Sequence, residues 1–156
     1  AWSALAVRVI EVPPRTGHAQ LTLSQRAKRA GAVIVSTPQD LALIDARKGL
    51  NMFRKVNVPL LGIIENMSHF LCTECGARHE IFGNGGARAE AAKLGVPFLG
   101  EVPLEMAIRA TSDEGTPIVA SQPDSLHAAH YGAIADAVLQ TLEQNAPKAR
   151  PKIIVE

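Results

Sequence analysis

Two cysteines, Cys72 and Cys75, stand in the run Cys72-Thr73-Glu74-Cys75-Gly76, and the chain has no others. The two-residue spacer lets both sulfurs reach one metal, while a tetrahedral site still needs two more donors. Two copies related by a two-fold axis could each give a pair, which completes the four thiolates that a [4Fe-4S] cluster takes. A competing local set is His69, Cys72, Cys75 and His79, four N and S donors within one segment that could hold Zn²⁺ without any partner. A redox dithiol and two inert thiols on a hairpin are the remaining readings of such a spacing.

Other residues offer less chemistry. Gly83-Asn84-Gly85-Gly86 ahead of a helix has the makings of an anion-binding nest, although as a Gly-rich turn it reads mainly as a flexible connection leaving the cysteine segment. Asn66 follows an apolar run and is read as a turn-former bonding its own backbone or as a wall of a ligand site. Thr37 and Gln39 divide in the same way between a helix cap and a site wall. His127 and His130 have no carboxylate or cysteine at a matching spacing and read as surface or boundary residues. Asp113 and Glu114 read as a solvated turn. No Ser/His/Asp or Cys/His nucleophile can be ordered from the sequence, and the phosphate-loop pattern G-x-x-x-x-G-K-[ST] does not occur in it.

The whole-chain arithmetic narrows the classes. At 156 residues the chain is about one domain long, and 47% hydrophobic with 20% charged residues excludes an intrinsically disordered tail. Lys and Arg total 16 against 15 Asp and Glu, so no basic field recruits nucleic acid or an anionic membrane surface. Apolar runs fall far short of the roughly 20 residues that cross a bilayer. The start Ala1-Trp2-Ser3-Ala4-Leu5 carries no export signal and reads as cut from something longer. Two closely spaced cysteines without such a signal point to a reducing compartment, the cytoplasm.

The elements that must position these residues follow from periodicity. Leu5–Val12 is short, β-branched and stopped by Pro13-Pro14, which predicts a strand and a loop. Ala32–Ser36, Leu60–Asn66 and Phe98–Val102 are nearly continuous apolar runs, as strands buried on both faces require. Thr37-Pro38-Gln39-Asp40 predicts a helix start, with Leu43, Ala46, Leu50 and Phe53 as its stripe. Ala87–Leu94 is Ala-rich and ends at Gly95, and Asp124 is placed to cap a last helix burying Tyr131, Ile134, Val138 and Leu142. Strands alternating with helices predict an α/β fold, a mainly parallel sheet with helices on both faces, whose ligands sit beyond the carboxyl ends of the strands. Residues 1–144 form the domain, with the cysteine segment at 66–82, and the basic, Pro-containing 145–156 is a loosely held tail.

Taken in order, Trp2, Pro13-Pro14 with Thr16-Gly17 and Gln20-Leu21-Thr22, Ser36-Thr37-Pro38-Gln39, Glu65-Asn66-Met67-Ser68, Cys72-x-x-Cys75-Gly76, Ile81-Phe82-Gly83 with Gly85-Gly86, Gly95-Val96-Pro97 and Gly100-Glu101-Val102-Pro103-Leu104 resemble the Mrp/ApbC family. These are P-loop ATPases of the deviant-Walker type that carry iron-sulfur clusters. The resemblance reaches about Leu142 but covers only the C-terminal half of the family's ATPase domain, whose Gly-rich phosphate loop lies upstream of Ala1. It implies a three-layer P-loop NTPase fold lacking its N-terminal portion. It also implies a [4Fe-4S] cluster bridged between two chains through Cys72 and Cys75, delivery to apo iron-sulfur proteins, and a homodimer or a related P-loop partner. By the same resemblance, Asn66 with the backbone around Pro103 and Leu104 faces the adenine of ATP, while Glu11, Pro13, Pro14, Thr16 and Gly17 stand where the family holds phosphate and Mg²⁺. Where the family has D-x-P-P-G-T-G-D, this chain has Glu11-Val12-Pro13-Pro14-Arg15-Thr16-Gly17-His18. Glu11 moves the carboxylate one methylene further out, Arg15 replaces a glycine that admits the γ-phosphate, and His18 replaces an acid, so nucleotide hydrolysis is expected to be relaxed or lost. Without a lysine-bearing loop to neutralise the β- and γ-phosphates, the lone chain is expected not to hydrolyse ATP.

Overall fold

The computed structural model describes residues 5–12 and 29–145. Its three apolar runs are strands β1 (Ala32–Ser36), β2 (Leu60–Asn66) and β5 (Phe98–Val102), hydrogen-bonded in parallel in the order β1-β2-β5. The short strands β3 (Phe70–Leu71) and β4 (Arg78–His79) pair antiparallel as a separate hairpin between β2 and the next helix. The helices are α1 (Asp40–Lys55), α2 (Gly86–Leu94), α3 (Met106–Asp113), α4 (Ile118–Ser121) and α5 (Leu126–Gln144).

Burial explains the layers. One face of the sheet supplies Ile34 and Ile63, which join Leu43, Leu50 and Phe53 of α1 and Ala87 and Ala91 of α2 in a single core. The predicted α1 stripe is therefore the buried one, with Ala46 packed at its border. On the opposite face α5 lies over β5 and β2, close enough that a side chain at Gly100 would strike Ile134. Of the predicted inner face of α5, Ile134 is buried and Tyr131, Val138 and Leu142 are half-buried. The helix does not reach across to β1, and Val35 is left 60% exposed.

Three expectations shift. Leu5–Val12 forms no strand: it is irregular, and Leu5, Val7, Arg8, Val9 and Ile10 are exposed, because a strand exists only against a ladder neighbour and none of the described residues pairs with it. Helix α1 starts two residues later than Thr37 and Pro38 predict, with Gln39 as its N-cap; the Thr37 hydroxyl bonds the Gln39 side chain instead of the helix amides. The cap of α5 is Ser125, whose hydroxyl accepts the Ala128 N–H at 3.1 Å, so Asp124 lies one residue too early. Residues 146–156 of the proposed tail lie outside the described residues.

Candidate functional site

The parallel register sets the geometry at the carboxyl end of the sheet. Asn66 is level with Val102, so the chain leaving β2 and the Pro103-Leu104 segment leaving β5 depart from the same rung. Their backbones then exchange hydrogen bonds: Ser68 N–H donates to Val102 O at 3.1 Å, and Leu104 N–H donates to His69 O at 2.7 Å. The Asn66 side-chain oxygen accepts the Met67 N–H at 3.0 Å, the local turn-forming role. Asn66 also lines a cavity of about 150 Å³ with Val35, Ile64, Val102, Tyr131 and Ile134. Pro103 is buried beside this rung and Leu104 is half-buried.

From that rung the chain makes an excursion, residues 67–85, with the cysteines at its tip. Met67 enters it in the left-handed region (φ 56°), unusual for a side-chain-bearing residue. Between β3 and β4 the turn is closed by Cys72 N–H to Ala77 O and by Gly76 N–H to Cys72 O, both 2.9 Å. Gly76 has φ 69°, which explains a glycine directly after the second cysteine. Cys72 is half-buried, Cys75 is exposed, and both are free thiols. The backbone amides of Cys75 and then Glu74 are turned to the Cys72 sulfur, and with the Cys75 side chain they hold its thiol below the ordinary cysteine range. Amides aimed at sulfur favour the thiolate, the form that binds metal. In a Cys75→Ala chain, which keeps those amides, alkylation of Cys72 by iodoacetamide is expected to reach half-maximal rate at a lower pH than a free cysteine peptide does.

The donor set for zinc is not assembled. His69 is buried, its Nδ1 lies 2.9 Å from the Ser68 hydroxyl and 3.9 Å from Glu101, and burial followed by the Arg78 charge lowers its basicity. His79 is exposed with its ring against Phe70. Among the described residues, no three His, Cys, Asp or Glu side chains are placed to hold one metal ion. Two thiols are what one chain offers at the hairpin.

The glycine run after the hairpin already has its anion. Glu65, fully buried at the end of β2, accepts the Gly85 N–H on one carboxylate oxygen at 3.1 Å and the Ala87 N–H on the other at 2.7 Å. The run, read mainly as a flexible connection with an anion-binding nest as the lesser alternative, thus holds the chain's own carboxylate at the start of α2, a device the sequence reading missed. Its one signal was an acidic residue inside the apolar run Leu60–Asn66.

Of the residues expected at the phosphate side, Glu11 is exposed on an irregular segment, and Pro13, Pro14, Thr16 and Gly17 lie outside the described residues. With no phosphate-loop pattern in the chain, the described residues do not assemble a site that fits Mg²⁺ and nucleotide phosphates.

A parallel sheet with helices on both faces and polar loops at the carboxyl ends of its strands defines an α/β protein. The model for the family described as "NUBPL iron-transfer P-loop NTPase" matches residues 1–139, and the chain belongs to this family. Among curated proteins it is 49% identical over 99% of its length to the iron-sulfur cluster transfer protein NUBPL of Dictyostelium discoideum, of which it covers 49%. It is 50% identical over 90% of its length to the iron-sulfur cluster carrier protein of Escherichia coli, of which it covers 38%. The chain thus spans about half the length, or less, of the curated relatives it matches. Among solved structures, the nucleotide-binding protein of Archaeoglobus fulgidus in complex with ADP matches with a TM-score of 0.56 and 43% identity, over 64% of this chain and 41% of that one. The Pyrococcus furiosus cell division ATPase MinD shares the fold at a TM-score of 0.57 and 23% identity, over 71% of this chain and 43% of its own. The family and the fold class expected from the loop motifs are both borne out.

Proposed function

We propose that this chain is the cluster-holding half of an iron-sulfur carrier, in which Cys72 and Cys75 of two copies jointly bind a [4Fe-4S] cluster and release it to apo iron-sulfur proteins. The observation that carries this reading is the hairpin: a turn closed by its own backbone hydrogen bonds that presents Cys72 and an exposed Cys75 as free thiols, with no third ligand in reach among the described residues. A cluster that needs four thiolates then requires a second molecule, either another copy or a related P-loop protein. The zinc module of His69, Cys72, Cys75 and His79 is disfavoured because His69 is buried against Ser68. The names of the relatives, transfer and carrier proteins, agree with carriage.

Nucleotide has a lesser part. Asn66, Pro103 and Leu104 are the adenine side of a site whose phosphate side, Glu11, Pro13, Pro14, Thr16 and Gly17, departs from the family pattern. Residues 1–144 are a partial P-loop NTPase-like domain. The thiols require a reducing compartment, and the cytoplasm is the one we assign. Among the described residues no helix is long and apolar enough to cross a membrane.

Anaerobic reconstitution of the purified chain with iron and sulfide tests the proposal. The expected product is brown, sediments as a dimer, passes its cluster to an apo-ferredoxin and shows no Mg²⁺-dependent ATP turnover. A colourless monomer retaining one zinc per chain would replace this reading with the zinc module.

A further inference from the structure

The excursion that bears the cysteines starts and ends at the carboxyl end of one strand. It leaves the sheet immediately after Glu65-Asn66, and its far end returns to the Glu65 carboxylate through the amides of Gly85 and Ala87. We propose that Glu65 is the positioning residue of the cysteine hairpin, a buried pin that fixes how residues 67–85 stand on the sheet and therefore how the two thiols are presented to a second copy.

The chemistry of the pin is specific. A carboxylate accepts at both oxygens, so it can meet two converging N–H groups at once, and its negative charge is favoured at the N-terminus of α2. A glutamine would have to aim an NH₂ at one of those amides, donor against donor. Close approach marks the site: a Cβ at Gly86 would lie 2.5 Å from the Pro38 carbonyl oxygen, so the start of α2 lies against the loop leaving β1, in a contact without a hydrogen bond of its own at Gly86 to replace those of Glu65. At the other end, the Ser68 and Leu104 hydrogen bonds hold the entry of the excursion to β5. With both feet fixed, the left-handed residues Met67 (φ 56°), Gly83 (φ 89°) and Gly85 (φ 69°) set the angle of the hairpin. Release of Glu65 frees the exit foot alone. The turn Cys72–Ala77 is closed by its own hydrogen bonds and keeps its shape, so the pair stays intact while its orientation is lost.

This role deepens the carrier reading and rests on it for its consequence, although not for its first test. A nitroxide attached to Cys75 in a Cys72→Ser chain reports hairpin mobility without any cluster. Glu65→Gln is expected to sharpen that spectrum to the motion of an untethered loop. Glu90→Gln is the control, since Glu90 is a buried carboxylate on the same helix that pairs with Arg47 and lies away from the hairpin; it is expected to lower Tm and leave the nitroxide unchanged. In reconstituted protein, cluster lifetime against a chelator is expected to fall roughly tenfold in Glu65→Gln, the size of one lost charge-assisted contact, and to be unchanged in Glu90→Gln. An unaltered nitroxide spectrum in Glu65→Gln, or equal mobilisation by Glu90→Gln, overturns the proposal. If the nitroxide responds as expected but the wild-type chain takes up no cluster, the carrier reading fails and the pin stands. If Glu65→Gln does not fold, Glu65→Asp, one methylene short of both amides, takes its place with the same outcomes.

Discussion

Cys72→Ala is expected to abolish cluster uptake while leaving the fold in place. In a bridged site each copy gives two of four thiolates, so one substitution removes two ligands from the assembled dimer and the remaining pair cannot hold a [4Fe-4S] core. The loss is expected to be complete, seen as disappearance of the charge-transfer absorption and of the cluster-dependent dimer. Stability is expected to change by only about 0.5 kcal/mol, as for surface positions generally, because the bonds that close the hairpin at Cys72 use its backbone N–H and carbonyl, which alanine retains. Cys75→Ala is expected to behave identically for cluster uptake. His69→Ala separates the two metal readings: a bridged cluster survives it, whereas a site built on His69, Cys72, Cys75 and His79 loses a ligand. Retention of iron in Cys72→Ala at the wild-type stoichiometry would exclude the hairpin as the binding site.

The sheet was legible from its unbroken apolar runs, in which Ile34 and Ile63 face the α1 and α2 core and Ile64 faces the α5 side, although β1 departs from the expected burial on both faces because Val35 is 60% exposed. The same test misread Leu5–Val12. β-branched composition reports fitness for a pleated surface, but a strand is made by its ladder, and among the described residues no ladder includes this segment. Helix starts moved by one or two residues because several polar residues near each end could satisfy the first amides; Ser125 outcompeted Asp124, and Thr37 turned to Gln39. The cysteines stood out in the sequence as two thiols at a two-residue spacing, and the structure places both as free thiols in the turn between β3 and β4. The Glu65 pin did not stand out. A carboxylate in a strand carries no periodic signal, and its partners lie 20 and 22 residues away as backbone amides, which look the same in every sequence.

Gly62→Ala is expected to be the most destabilising single-atom change in the sheet. Gly62 sits inside β2 with φ 151°, a conformation that a Cβ strains at a cost of about 1–3 kcal/mol. The added carbon would also lie 2.5 Å from the Pro97 carbonyl oxygen and 2.6 Å from Leu99 Cγ. That oxygen cannot retreat freely, because it accepts the Ile63 N–H at 2.9 Å at the start of the β2-β5 ladder. Overpacking adds roughly another 1–3 kcal/mol, and the sum is a large share of the 5–15 kcal/mol that holds a domain together. Gly31 is the informative contrast. A Cβ there also meets atoms at 2.5 Å, but they belong to the Leu61 side chain and not to backbone, and Gly31 has no positive φ for a side chain to strain, so Gly31→Ala is expected to cost less. Urea midpoints of the two variants decide the point. Near-equal midpoints would mean that Pro97 yields as easily as a leucine side chain, and hence that the β2-β5 ladder, from whose ends both Glu65-Asn66 and Pro103-Leu104 are hung, is not the rigid base that the presentation of the cysteines requires.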